Sequence, residues 1–96
     1  MKNTQENKMN DINNKLLDDL NNNSTVCVDF VTKTGKTRRM ICTRLLSAIP
    51  AEQHNGIHDK RLNGPAIVAV YDLQIKEWRA FRWDSVIVWK IYDQET

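Results

Sequence analysis

Apolar positions recur with a period of two along most of the chain after residue 24, which is the spacing of β-strands. The first such run covers 25–31, and Gly35 in the segment 33–36 marks a tight hairpin before a returning strand at 37–43. Three more runs follow at 65–71, 78–83 and 86–91, separated by a turn at 72–77 and a corner at 84–85. Strand 65–71 is apolar on both faces, which predicts a central position. Five short strands broken by tight turns predict an all-β domain, and closure into a small barrel removes exposed edges.

The first 23 residues follow a different pattern. Their apolar residues fall at helical spacing and predict a short amphipathic helix over about 11–20, with Asn10 or Asp11 as its N-cap. The run Asn21 to Asn23 ends the helix with residues that tolerate left-handed backbone. The polar start predicts no order for the first nine or ten residues. We therefore divide the chain into a flexible segment with a short helix (1–23), a barrel (24–92) and a tail (93–96).

The stretch between the second and third strands carries no strand period. Residues 45–49 before Pro50 predict a short helical turn that covers an open barrel end. Residues 51–64 are rich in Gly, Asn and His and predict an exposed loop. His54 and His58 are four apart in this loop, but no cysteine or aligning helix accompanies them, so we interpret them as solvated residues rather than metal ligands.

Charge is distributed unevenly along the chain. Residues 24–92 hold eleven Lys or Arg against six Asp or Glu, a net charge of +5, whereas residues 1–23 carry −1 and residues 93–96 carry −2. A basic domain with acidic ends favours a polyanionic partner. The chain has no apolar run long enough to cross a bilayer and no apolar secretory segment at its start, so a cytoplasmic location is expected, with no membrane partner.

Cys27 and Cys42 both fall in predicted strands, without a second Cys or His at metal-ligand spacing. We expect buried, free thiols. They could face each other across the hairpin, although a cytosolic compartment disfavours a lasting disulfide.

Basic and aromatic residues concentrate on two stretches of the predicted barrel. In strand 78–83, alternation gives each face arginine and aromatic side chains, with Trp83 on the same face as Arg79. Arginine pairs with phosphate through its planar fork, and an exposed aromatic ring stacks on a base. The candidate nucleic-acid-binding residues, including those of the basic hairpin, are Lys36, Arg38, Arg39, Trp78, Arg79, Arg82 and Trp83. The alternative is that Phe81 and the tryptophans form core and that the arginines flank them.

The segment YDLQIKEWRAFRWDSVIVW, residues 71–89, resembles the end of the WYL-type SH3-like barrel family. Members carry an aspartate-leucine turn, then aromatic-Arg-x-Phe-Arg and a final apolar strand. The upstream pieces KTGKTRRMICT, LLSAIP and IVAVYDL agree with the short Sm-like branch, which occurs as free-standing bacteriophage proteins. The larger family has a second basic residue where this chain has Asp84-Ser85. The resemblance spans about 25–91 and implies a five-stranded SH3-like or Sm-like barrel that binds nucleic acid or nucleotides without catalysis.

Three hypotheses follow. The first is a phage-type regulatory protein that binds RNA, slightly favoured, or single-stranded DNA. The second is a protein-interaction module that inhibits or modulates a host enzyme or defence system. The third is a small-nucleotide sensor using Arg79, Arg82 and an aromatic neighbour. No enzyme activity, cofactor or metal is expected, because the carboxylates are scattered over different turns and strands. Open strand edges favour a homo-oligomer.

Overall fold

One α-helix and five β-strands make up most of the chain in the computed structural model, which describes the backbone of residues 4–92 and the side chains of residues 11–92. The elements are α1 (Thr4–Asn22), β1 (Val26–Val31), β2 (Thr37–Thr43), β3 (Ile67–Asp72), β4 (Glu77–Arg82) and β5 (Val86–Ile91). Three 3₁₀ helices cover Leu46–Ala48, Ala51–His58 and Trp83–Ser85. Within the described chain, no helix is long and apolar enough to span a membrane.

The strands form one antiparallel sheet in the order β4-β3-β2-β1-β5. β1 pairs along its length with β2 and β5, whereas β2 pairs with β3 at only two positions. The sheet wraps around a single apolar core, which confirms the predicted all-β fold of five short strands with an N-terminal helix. Two-residue alternation supplies the inward side chains of the strands: Val26, Val28, Phe30, Met40, Cys42, Val68, Val70 and Phe81.

Helix α1 is longer than expected and packs on the barrel. It begins at Thr4 instead of near residue 11, so neither proposed N-cap residue caps it, and the expected lack of order is wrong from residue 4 onward. Residues 1–3, like the predicted tail 93–96, lie outside the described residues. Leu16 and Leu20 are one helical turn apart and fully buried in the core, while Ile12 on the same stripe stays exposed.

The end of α1 is held by side chains instead of by left-handed backbone. The side-chain amides of Asn22 and Asn23 donate to the carbonyls of Asp18 and Asp19, four residues earlier in the last turn of the helix. The helix ends within the predicted asparagine run, but none of these asparagines has a positive φ, so the ending does not use the left-handed backbone that they tolerate. The backbone N–H that follows β2, at Arg44, donates to the Leu20 carbonyl and ties the helix to the sheet.

The predicted exposed loop 51–64 is half-buried and starts with the 3₁₀ helix Ala51–His58. Gly56 lies directly against the indole of Trp78, where a Cβ would overlap the ring. The Asn63 side chain donates to the Ile57 carbonyl and accepts from the Ala69 N–H, which fastens the segment to β3. These contacts come from residues distant in sequence, which explains why local periodicity did not reveal them.

The two thiols are free and buried, as expected. They do not face each other, because Cys42 lies opposite Val26 whereas Cys27 lies opposite Ile41, which puts them on opposite faces of the sheet. Burial raises the pKa of Cys42 to about 12, with smaller contributions from the charges of Asp72 and Cys27.

Candidate functional site

A cavity of about 810 Å³ opens where the β1–β2 hairpin approaches β4 and the 3₁₀ corner that follows it. β4 is an edge strand, so side chains from both of its faces reach this space. Its pairing with β3 puts Arg79 opposite Val70 on the inward face and Arg82 opposite Ile67 on the outward face. The volume falls in the range of small-molecule sites, about 300–1,000 Å³.

Apolar side chains form the floor of this cavity. The rings of Phe30 and Phe81 stack with centroids 5.4 Å apart and planes inclined by 28°. Met40 and Ile67 extend the floor beside them. Phe30 and Phe81 are each less than a tenth exposed, so little of either ring is open for stacking on a ligand.

The rim of the cavity is strongly basic. Four cations and one carboxylate line it: Lys33, Arg38, Arg79, Arg82 and Asp84. We call this site the cationic cavity. A net surplus of three positive charges above an apolar floor suits an anion that carries an apolar or planar group.

The three arginines of the cationic cavity differ in their ion-pair and hydrogen-bond partners. Arg38 lies 3.8 Å from the buried carboxylate of Asp72. Arg82 binds Asp84 through both arms of its fork, at 3.0 and 2.9 Å. This pairing lowers the pKa of Asp84 and raises the pKa of Arg82, mainly through the hydrogen bonds between their side chains. Arg79 has no hydrogen-bond or ion-pair partner among residues 11–92, so its fork is available to a ligand.

Of the seven residues predicted from the sequence, the structure brings three together in the cationic cavity: Arg38, Arg79 and Arg82. Lys36 is exposed in the hairpin and is not part of the lining. Arg39 lies on the opposite face of the sheet, where it binds Asp29 through two hydrogen bonds of 2.8 and 3.2 Å beside a smaller cavity of about 250 Å³. These hydrogen bonds lower the pKa of Asp29 and raise that of Arg39.

Both tryptophans predicted to bind nucleic acid make contacts within the protein. The Trp78 indole N–H donates to the Gln53 carbonyl at 2.7 Å, and its ring meets Tyr71 edge-on at 5.6 Å. Trp83 belongs to the 3₁₀ corner because β4 ends at Arg82, and it packs against the core. The strand therefore ends one residue before Trp83, but packing against the core keeps this side chain on the inward side of the sheet, where Arg79 also lies.

Sequence reasoning missed Lys33, Phe30 and Asp84 as parts of the site. Phe30 looked like core, which it is, and only the three-dimensional approach of β1 to β4 shows that its ring also lines a cavity. For Asp84 there was a local signal, since an acid two residues after Arg82 is within reach of the guanidinium.

The histidines and carboxylates do not form a second constellation. His54 is half-buried, with its Nε2 2.8 Å from the Ile49 carbonyl, so it is not the solvated residue expected. Within the part of the chain that the structure describes, no group of three or more His, Cys, Asp or Glu residues is placed to hold a metal ion.

The arrangement of these elements agrees with a comparison against known families. The model of a family described as WYL_2, with an Sm-like SH3 β-barrel fold, matches residues 13–87. No curated protein and no solved structure matches the chain. Since the family match covers most of the chain, including the C-terminal part of α1 and the strands that build the cavity, the protein belongs to the WYL_2 family of Sm-like SH3 β-barrels.

Proposed function

We propose that this protein is a small regulatory module, of the kind that bacteriophages encode, which binds single-stranded nucleic acid in the cationic cavity. The observation that carries the proposal is Arg79, which has no side-chain partner among residues 11–92 and lies beside Arg38 and Arg82 above an apolar floor. Guanidinium forks match phosphate geometry, and an apolar floor accommodates a base or sugar. The +5 charge of residues 24–92 adds long-range attraction for a polyanion.

The chemistry of the cavity favours phosphate contacts over base stacking. Trp78 and Trp83 are engaged by the protein, so affinity depends mainly on the arginines and falls with salt. We place RNA slightly ahead of DNA because Sm-like barrels bind RNA in many settings. The proposed activity is binding without catalysis, since the carboxylate in the cavity is held by Arg82. Free thiols at Cys27 and Cys42 suit a reducing cytoplasm, that of the host if the protein is phage-encoded.

The test is fluorescence anisotropy of labelled single- and double-stranded RNA and DNA across a salt series. Arg79→Ala should weaken binding of the single strands about tenfold, because it removes a charge-assisted hydrogen bond. It should also lower the slope of log Kd against log salt by about 0.7. Arg61→Ala is the matched control, because Arg61 is an exposed arginine paired with Asp59 outside the cavity. Absence of binding to all four nucleic acids at low salt would refute the proposal.

A second candidate function is a protein contact along β5. Ile87, Val88, Ile91 and Tyr92 are all exposed on or directly after this edge strand. Exposed apolar residues on a sheet edge are typical of surfaces that bind another chain. The partner would be a host protein that the module modulates, and that binding would weaken far less with salt than nucleic-acid binding.

A further inference from the structure

Among residues 11–92, Asp84 is the single carboxylate in the lining of the cationic cavity. It occupies both hydrogen-bonding arms of Arg82, the same arms that would form a bidentate contact with a phosphate. The pair is accessible to solvent, since the side chains of Arg82 and Asp84 are 57% and 54% exposed. An incoming anion can therefore bind the Nε and Nη2 edge of Arg82 only by displacing Asp84.

We propose that Asp84 is an internal competitor for the anionic ligand of the cationic cavity, so that it limits affinity by holding the Arg82 guanidinium in a neutralised pair. This inference rests on the proposed function. Arg79 is the anchor that a ligand meets first, and Arg82 becomes a second anchor when Asp84 is displaced.

The fold does not need the Asp84 carboxylate. The 3₁₀ corner Trp83–Ser85 is closed by the Ser85 hydroxyl, which donates to the Arg82 carbonyl at 2.7 Å, and by the Val86 N–H, which donates to the Trp83 carbonyl. Exposed ion pairs contribute little to stability. Asp72 is a contrasting case, because it is buried and its carboxylate accepts the Gln74 and Ile75 N–H groups of the β3–β4 turn.

The competition between Asp84 and the ligand for Arg82 predicts a result that a general gain of positive charge does not. Replacing Asp84 by asparagine frees Arg82 for the ligand, so the gain in affinity depends on Arg82. Replacing both members of the pair removes competitor and contact together, so the gain should disappear and the double variant should bind no more tightly than the unmodified protein.

The test measures the Kd of one labelled single-stranded RNA for four proteins at low salt: the unmodified chain, Asp84→Asn, the double variant Arg82→Gln/Asp84→Asn, and Asp59→Asn. Asp59 forms the same bidentate pair with an arginine two residues later, outside the cavity, and so controls for net charge. We expect Asp84→Asn to bind about fivefold more tightly, the upper end of what an exposed ion pair contributes. The double variant should bind no more tightly than the unmodified chain, and Asp59→Asn should stay within about twofold of it.

Two results would refute the proposed role of Asp84 without refuting the proposed function. One is equal affinity of Asp84→Asn and Asp59→Asn, and the other is a double variant that binds as tightly as Asp84→Asn. In either case, the proposed function is still supported if the unmodified chain binds the RNA and Arg79→Ala weakens that binding. Absence of binding by every variant would refute the proposed function, and the inference with it. Thermal denaturation of each variant verifies that all four are folded.

Discussion

Replacing Leu20 by alanine tests whether α1 is part of the barrel core. Leu20 is completely buried in the last turns of the helix, where the Arg44 N–H donates to its carbonyl. The substitution removes buried methyl and methylene groups and leaves a cavity between helix and sheet. Such changes cost about 2–5 kcal/mol, and we expect about 3 kcal/mol because Leu20 has no exposed surface.

Urea denaturation followed by tryptophan fluorescence measures this loss. Trp89 is a suitable reporter, because its indole N–H donates to Asp19 of α1 at 2.9 Å. With a slope of about 2 kcal/mol per molar urea, the midpoint should fall by about 1.5 M. An unchanged slope would indicate that the loss is in stability and not in the cooperativity of unfolding.

Ile12→Ala is the matched control on the same helical stripe. Ile12 is 55% exposed, so its truncation should change the free energy of unfolding by less than about 0.5 kcal/mol. Equal small losses at both positions would refute the packing of α1 against the core.

Three further predictions concern the rest of the fold. Gly56→Ala should lower the melting temperature by several degrees, because its Cβ would overlap the rigid Trp78 indole, while Gly64→Ala, whose nearest neighbour lies 3.9 Å away, should leave it within about a degree. The pKa of Cys42 is raised from an ordinary value near 9 to about 12, so in this pH range the folded state keeps a proton that the unfolded state loses. Chemical denaturation should therefore show that the free energy of unfolding falls between pH 9 and 12. A Cys42→Ala variant whose free energy of unfolding falls as steeply would contradict this prediction. The exposed apolar edge of β5 predicts self-association of the chain, which Ile87→Lys should reduce in sedimentation velocity; a monomer at all concentrations would contradict it.

Local sequence signals were sufficient where a single element decided the structure. Gly35 adopts a φ of 85° in the β1–β2 hairpin, as its place between two alternating runs predicted. The uninterrupted apolar residues of β3 likewise indicated a strand with neighbours on both sides, and the sheet order confirms it.

Local sequence signals failed where contacts between residues distant in sequence determine the structure. The 3₁₀ helix Ala51–His58 is stabilised by Trp78, more than twenty residues later, and nothing in its own composition indicates that contact. Strand alternation puts Arg39 on the face opposite Arg38, but only the register of β1 against β2 shows that Asp29 lies beside Arg39 and binds its guanidinium.

An NMR titration of the uniformly ¹⁵N-labelled protein with a short single-stranded RNA tests the location of the binding surface most directly. We predict that the largest changes in amide chemical shift occur around the cationic cavity, at Lys33, Ala80 and residues 82–85, and that Arg79→Ala needs about tenfold more RNA to produce them. Changes centred on Arg39 and Lys90, on the opposite face of the sheet, or no changes at all, would contradict it.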